Sequence, residues 1–403
     1  MLQFDNKIIK FAILVIFNLA ITITIITVIE SVASLFVTKP SGYLTSDYRL
    51  NHKAIPNSEF LHTEWAHKDF PLPYKHYINK QGWLEKYDVS KKKAPDVFRI
   101  FYVGDSFVEG TCAMEKNVPS LMQGYLNQLA KGMKLSFEVI NTGTSSYSPT
   151  IYYLLIRYVL LDYSPDLIVV NVDMTDVYDD WKYGYTLIKD KDGNPFACPP
   201  RNVFNFDFID TRQGAVKATL WRKLQLFLYQ RSNTYHLVQK YRDKLFPEKE
   251  GIPADLETFN PDPYKRFAWC LQNWDEETIK NVANSMDILK RLAILCKQRG
   301  IKVVFTSTPY YWQYAGESDG SGAPNHSRRP HIEVEKVAKE TGISYLDSVS
   351  ALEPYIKGTP VSKYYFPNDV HFNQRGYELW SKAQLQFLIN KENSLLPPQF
   401  SAH

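Results

Sequence analysis

From Phe11 to Ile29 the chain runs through 19 residues without a charge, with Lys7 and Lys10 before them and Glu30 after. At 1.5 Å rise per residue such a helix nearly spans a hydrocarbon core of about 30 Å, and Ser31 to Val37 can extend it. A cleaved signal would have a shorter apolar region, and Ser31-Val32-Ala33 is a poor cleavage site. Residues 1–37 therefore read as a short cytoplasmic tail and a transmembrane signal-anchor. The lysines lie on the N-terminal side, which places the chain after residue 38 outside the cytoplasm as a single-pass membrane protein.

Residues 38–95 show no sustained periodicity and read as a stem and loop-rich lead-in ending in Lys91-Lys92-Lys93. The pattern then changes. Val97 to Val103 is a short β-rich run stopped by Gly104-Asp105-Ser106, and Asn117 to Ala130 carries apolar residues three or four apart, as on one face of a helix. Phe137 to Ile140 and Asp166 to Val172 read as further strands, with a helical stretch from Ile151 to Leu161 between them. A helix from about Glu276 to Arg299, ended by Gly300, precedes a strand from Lys302 to Thr306. Helices at about His331–Thr341 and Gln374–Leu388 flank a last short strand at Ser344–Asp347. This alternation predicts a three-layer α/β/α sandwich on a mostly parallel, flavodoxin-like sheet, over residues 96–390, with 391–403 as a tail. Between 181 and 275 the rhythm breaks into turns and prolines, and a structureless loop that long is improbable, so the segment reads as an inserted, partly helical cap.

Composition narrows the function classes. Hydrophobic residues at 44% and charged residues at 22% exclude wholesale disorder. A net charge of +4, without a basic run interleaved with aromatics, gives no support to nucleic-acid binding. Aromatics reach 14%, which suits carbohydrate-facing surfaces and core packing alike. Cys112, Cys198, Cys270 and Cys296 all follow the anchor; both disulfides and buried thiols are open to them.

Three short blocks carry candidate chemistry, each after a predicted strand or in a late loop, where open α/β sheets place their ligand crevice. In Gly104-Asp105-Ser106 a serine stands at a strand-to-helix turn, with its backbone N–H at a helix N-terminus. In Asn141-Thr142-Gly143 a glycine lets the backbone come close and offer a second N–H. In Asn368-Asp369-Val370-His371 an extended backbone projects Asp369 and His371 the same way, so the carboxylate can orient the ring. Together they suggest Ser106 as nucleophile, His371 as general base and Asp369 as its orienter.

The order of these blocks resembles that of the SGNH (GDSL-like) esterase and acyltransferase superfamily, over roughly residues 96–390. The resemblance implies that Ser106 is the nucleophile and that its N–H, with Gly143, forms part of an oxyanion hole. Asp369 and His371 complete the triad, with the Asp-x-His spacing of membrane-linked polysaccharide acetyltransferases. Most members place the acid three residues before the histidine, where this chain has Asn368. The family's third block supplies an oxyanion-donating Asn; Thr175 stands at that position here, and Asn171 lies four residues earlier within the strand. Asp173, Asp176, Asp179 and Asp180 read as turn and capping residues, so no metal and no cofactor is expected.

These readings imply an ester-hydrolysing enzyme acting outside the cytoplasm on an O-acyl group of a polysaccharide or an acylated small molecule, through an acyl-serine. An O-acetyltransferase working with a membrane acyltransferase partner would use the same triad. A glycan-binding or assembly protein that keeps the fold without catalysis is the reading from a different class.

Overall fold

The computed structural model describes residues 6–36, 43–62, 74–200, 208–211, 214–217, 232–235, 237–238, 241, 266–315, 327–366, 369–398 and 400. Much of the expected cap, the apolar stretch from Leu220 to Leu228 included, lies outside them, as does Asn368. The chain falls into two compact units: Met1–Gly42 with Asn202–Pro253, and Tyr43–Arg201 with Ala254–His403.

In the first unit, helix α1 runs from Asn6 to Ala33. Its stretch Ile13–Ala33 is long and apolar enough to cross a membrane, a test that a signal sequence also passes. The polar side chains within it return to its own backbone. Asn18, Thr22, Thr24 and Thr27 donate to the carbonyls of Leu14, Asn18, Ala20 and Ile23 at 2.8–2.9 Å. In a medium without water, this internal pairing is what lets hydroxyls and an amide sit in the helix.

The second unit opens with two antiparallel ribbons. Strand β1 (Leu44–Asp47) pairs with β2 (Asn51–Ala54), and β3 (Ser58–His62) with β4 (Tyr74–Ile78). The central sheet follows: β5 (Val97–Val103), β6 (Ser136–Asn141), β7 (Leu167–Val172), β8 (Lys302–Ser307) and β9 (Ser344–Leu346), in the order β9-β8-β7-β5-β6. Every pairing in it is parallel. Counted among themselves, these strands have the order 2-1-3-4-5 of doubly wound, flavodoxin-like sheets, as the alternation of elements predicts. Burial explains why the middle strands are so apolar: β7 is buried at all six positions and β5 over its last five.

The helices divide between the two faces of the sheet. The helix α2 (Ser106–Glu109) follows β5 directly, and α3 (Val118–Leu129) leads to β6. Helices α4 (Pro149–Tyr158), α5 (Asp176–Tyr183), α6 (Glu276–Gln298) and α7 (Arg329–Thr341) pack together on one face. The other is covered by α3 with α8 (Ser348–Ile356) and α9 (Gln374–Ile389). Caps set the helix starts: Asn117 accepts from the Ser120 N–H, Asp275 from Thr278 and Asp347 from Ser350. The four cysteines are buried thiols, and burial pushes Cys198 and Cys296 up to about 12.

Candidate active site

The strand order reverses between β5 and β7, and the open end of the sheet there is where such folds hold ligands. Three of the sequence blocks meet at this end. Asp105 caps α2, its carboxylate accepting from the Phe107 N–H at 3.0 Å, so Ser106 becomes the first residue of the helix. The Ser106 N–H has no preceding carbonyl within the helix to bond to.

Ser106 and His371, 265 positions apart, are joined by a 2.7 Å hydrogen bond between Oγ and Nε2. On the other side of the ring, Nδ1 and Asp369 Oδ1 are 2.5 Å apart, and the same oxygen accepts from the His371 backbone N–H at 2.9 Å. Asp369 thus accepts a hydrogen bond from Nδ1–H, which keeps the proton on that nitrogen and leaves the Nε2 lone pair for the Ser106 hydroxyl. The ring stacks on Phe107 with centroids 4.7 Å apart and 28° between planes. A weaker contact of 3.3 Å runs from Ser106 Oγ to Asp105 Oδ2.

The segment that delivers His371 is built locally. Tyr365 and Phe372 bridge antiparallel, the Phe366 N–H donates to the His371 carbonyl at 3.1 Å, and Asp369 N–H closes a turn onto Phe366 O. Phe372 is fully buried against Phe107, Tyr365, Tyr377 and Trp380. Asn373 then caps α9, accepting from the Arg375 and Gly376 N–H groups. At Gly376 a Cβ would lie 2.1 Å from the Tyr364 carbonyl and 2.6 Å from the Phe372 ring, so only glycine lets α9 come this close.

The expected oxyanion donors are arranged differently. Gly143 packs against α2 so tightly that a Cβ would be 2.3 Å from the Glu109 nitrogen. Its N–H, however, donates to Asn141 Oδ1 at 2.9 Å, and the Asn141 amide donates to the Val108 carbonyl at 3.0 Å. Thr175 sits at the head of α5, and both its N–H and its hydroxyl donate to Asp173 Oδ1, at 2.7 and 2.6 Å. Asn171 accepts from the Thr308 hydroxyl at 2.9 Å within the sheet, while its buried Nδ2 makes no hydrogen bond. Of the three oxyanion groups read from sequence, two are therefore engaged inside the protein, and the engagement is local: the acceptors, Asn141 and Asp173, stand two residues before their donors and close Asx-type turns.

A feature that the turn-and-capping reading of the aspartates did not anticipate is the density of buried acid beside the serine. Asp105, Asp173 and Asp176 are all buried and bring one carboxylate oxygen each within 4.8 Å of the others. Asp173 also accepts from the Tyr310 hydroxyl at 2.5 Å, and Asp176 from the Tyr152 hydroxyl at 3.2 Å. Burial, and then the neighbouring Asp173, push the Asp105 and Asp176 carboxyls well above the usual range. The capping reading stands beside this: Asp180 ties the start of α4, accepting from Ser148 Oγ at 2.5 Å and from the Thr150 N–H at 2.9 Å. No sequence signal pointed to Tyr310, which reaches Asp173 from 137 positions away.

No family model and no curated protein matches the chain. Solved structures that match the chain include Axe2, an acetylxylan esterase from Geobacillus stearothermophilus, at 13% identity and a TM-score of 0.39, covering 74% of this chain and 95% of that one. A catalytic mutant of the same enzyme gives 12% identity and 0.40 over the same shares. LAE5, an alpha/beta hydrolase enzyme from the metagenome of Lake Arreo, is 12% identical with a TM-score of 0.39, over 76% of this chain and 99% of its own. At identities and TM-scores this low, nothing about activity passes from those proteins to this chain.

Proposed function

We propose that the second unit is a serine esterase of the SGNH type, which hydrolyses an O-acyl ester through an acyl-serine. The observation that carries this is the continuous Asp369–His371–Ser106 array, with hydrogen bonds of 2.5 and 2.7 Å at either side of one ring. Ser106 Oγ attacks the ester carbonyl while Nε2 takes its proton; the imidazolium formed is stabilised by Asp369. The same proton is then given to the leaving alkoxide, and a water activated by Nε2 releases the acyl group from the serine. The Ser106 N–H at the head of α2 is the oxyanion donor available without rearrangement.

A polysaccharide as the natural ester follows from the resemblance of the motif blocks, and an extracytoplasmic site from the N-terminal lysines and helix α1. The same triad serves an O-acetyltransferase, and glycan acetylation that outpaces hydrolysis in the presence of an acyl donor would distinguish it. The engagement of Gly143 and Thr175 within the protein favours a second reading, a glycan-binding or assembly protein without turnover.

The deciding experiment is intact-mass analysis of the full chain in detergent after treatment with a fluorophosphonate. One adduct is expected, absent in Ser106→Ala and at least about a thousandfold slower in His371→Ala. A folded protein that takes no adduct overturns the hydrolase reading in favour of the binding one.

A further inference from the structure

Behind the serine, a different set of side chains converges. In the β3–β4 ribbon His62 lies opposite Tyr74 and Phe60 opposite His76, so the two histidines are diagonal neighbours on one face. Their nitrogens, His62 Nε2 and His76 Nδ1, are 3.1 Å apart. That face meets Glu109, the last residue of α2, whose Oε1 is 4.0 Å from His76 Nδ1. All three residues are buried, and one ligating atom from each lies within 4.8 Å of the other two.

Each group is also held from behind. The His76 Nε2–H donates to the Cys112 carbonyl at 3.0 Å, which fixes the lone pair on Nδ1, the atom that faces the cluster. Glu109 Oε2 accepts from the Ser145 N–H at 2.7 Å and from its hydroxyl at 2.9 Å, the Tyr43 hydroxyl also hydrogen-bonds the carboxylate, and Oε1 lies 4.0 Å from His76 Nδ1. Rings and carboxylates oriented by such outer partners are the usual surroundings of a metal. No lysine or arginine forms an ion pair with Glu109 among the described residues, so the buried carboxylate has a place for a cation.

We propose that His62 Nε2, His76 Nδ1 and Glu109 Oε1 bind a divalent transition-metal ion of the zinc class, with water in a fourth position. Two imidazoles select such an ion over calcium or magnesium, which take oxygen ligands. On tetrahedral zinc with bonds of about 2.0–2.1 Å, ligand atoms stand about 3.4 Å apart, so the nitrogen pair fits nearly as it is. The carboxylate, whose Oε1 is 4.0 Å from His76 Nδ1, must swing inward to complete the set, pivoting on the oxygen that Ser145 holds. Binding moves the His62 ring proton from Nε2 to Nδ1, an atom that makes no hydrogen bond, and Glu109 binds ionised. The ion fastens the ribbon to the four-residue helix that opens with Ser106. It does not depend on Ser106 being a nucleophile.

The test is elemental analysis of the full chain, purified in detergent from zinc-supplemented medium. About one zinc per chain is expected in the wild type, and none in His76→Ala or Glu109→Gln. Since either variant could unfold, the chelator-treated wild type is also titrated with cobalt(II), expected to give the visible bands of four-coordinate cobalt and to lose them to zinc. His62→Cys should keep the metal and add a thiolate-to-cobalt charge-transfer band. A folded wild type without stoichiometric zinc or a cobalt spectrum overturns the proposal. Undiminished zinc in both substituted proteins overturns it too, because the ion would then lie elsewhere. Neither result bears on the fluorophosphonate adduct at Ser106.

Discussion

The ring of His371 is held on three sides: Asp369 at Nδ1, Ser106 at Nε2 and Phe107 across its face. Only the first of these sets which nitrogen carries the proton. Asp369→Asn is therefore expected to leave the fold intact while turnover of an activated ester falls by about four orders of magnitude, because an amide can hold the ring in the wrong tautomer. Thr175 is expected to behave otherwise. Both of its donors go to Asp173, so Thr175→Ala should lower turnover by less than about tenfold, against the hundredfold or more of a lost oxyanion donor. Its cost should appear in stability, about 1–2 kcal/mol by denaturant titration, as Asp173 loses a hydrogen bond in a buried place. A hundredfold loss of turnover with unchanged stability would return Thr175 to the oxyanion hole.

Among the elements, α2 and α9 do most to place the site, and each is positioned by the absence of a side chain. Gly376→Ala puts a methyl against the Tyr364 carbonyl and the Phe372 ring. The expected loss is about 1–3 kcal/mol of stability, measured by urea unfolding. Because Phe372 adjoins His371, fluorophosphonate labelling should slow as well. The sheet strands were legible in sequence because strands buried on both faces are continuous apolar runs, as Leu167 to Val172 is. The lead-in ribbons were not. In β4 the buried positions alternate as Tyr74, His76 and Ile78, and a histidine in that series reads as polar until its partners His62 and Cys112 are seen. The same blindness hid Glu109, an acid whose burial follows from the packing of the Gly143 loop and the ribbon around α2.

For the whole molecule, buried and half-buried acids set the response to pH. Burial, and to a lesser degree Glu138, raises the Glu85 carboxyl to about 8, and Asp105 and Asp176 are raised as well. A carboxyl with a folded-state pKa above its unfolded value binds more protons in the folded chain. Its stabilising contribution is complete below the unfolded pKa, near 4.5 for Glu85, and is lost as pH climbs through about 8. The midpoint of thermal unfolding should therefore fall between pH 5 and pH 9 on the order of several degrees, and Glu85→Gln should flatten that decline. A midpoint that rises across this window would mean that the acids are ionised in pairs with cations.

How the site is legible follows from chain distance. Ser106 and His371 each announce themselves within ten residues, in Gly104-Asp105-Ser106 and Asp369-Val370-His371, since their local turns and caps are written beside them. The Gly143 and Thr175 donors bond Asn141 and Asp173 two residues before them, local turns that the oxyanion reading passed over, whereas the partners that hold those two acceptors, Val108 and Tyr310, are remote in sequence and no local pattern carries them. The interval of 265 positions between Ser106 and His371 has a further consequence, for biosynthesis. A chain emerging N-terminus first completes the serine and most of its sheet long before the base is made, and closing so distant a contact belongs to the last stage of folding. Until then Ser106 is an ordinary alcohol. On the proposed function, nascent or truncated chains that stop short of residue 371 are expected to be chemically silent, and fluorophosphonate reactivity then reports that the chain has been made at least that far.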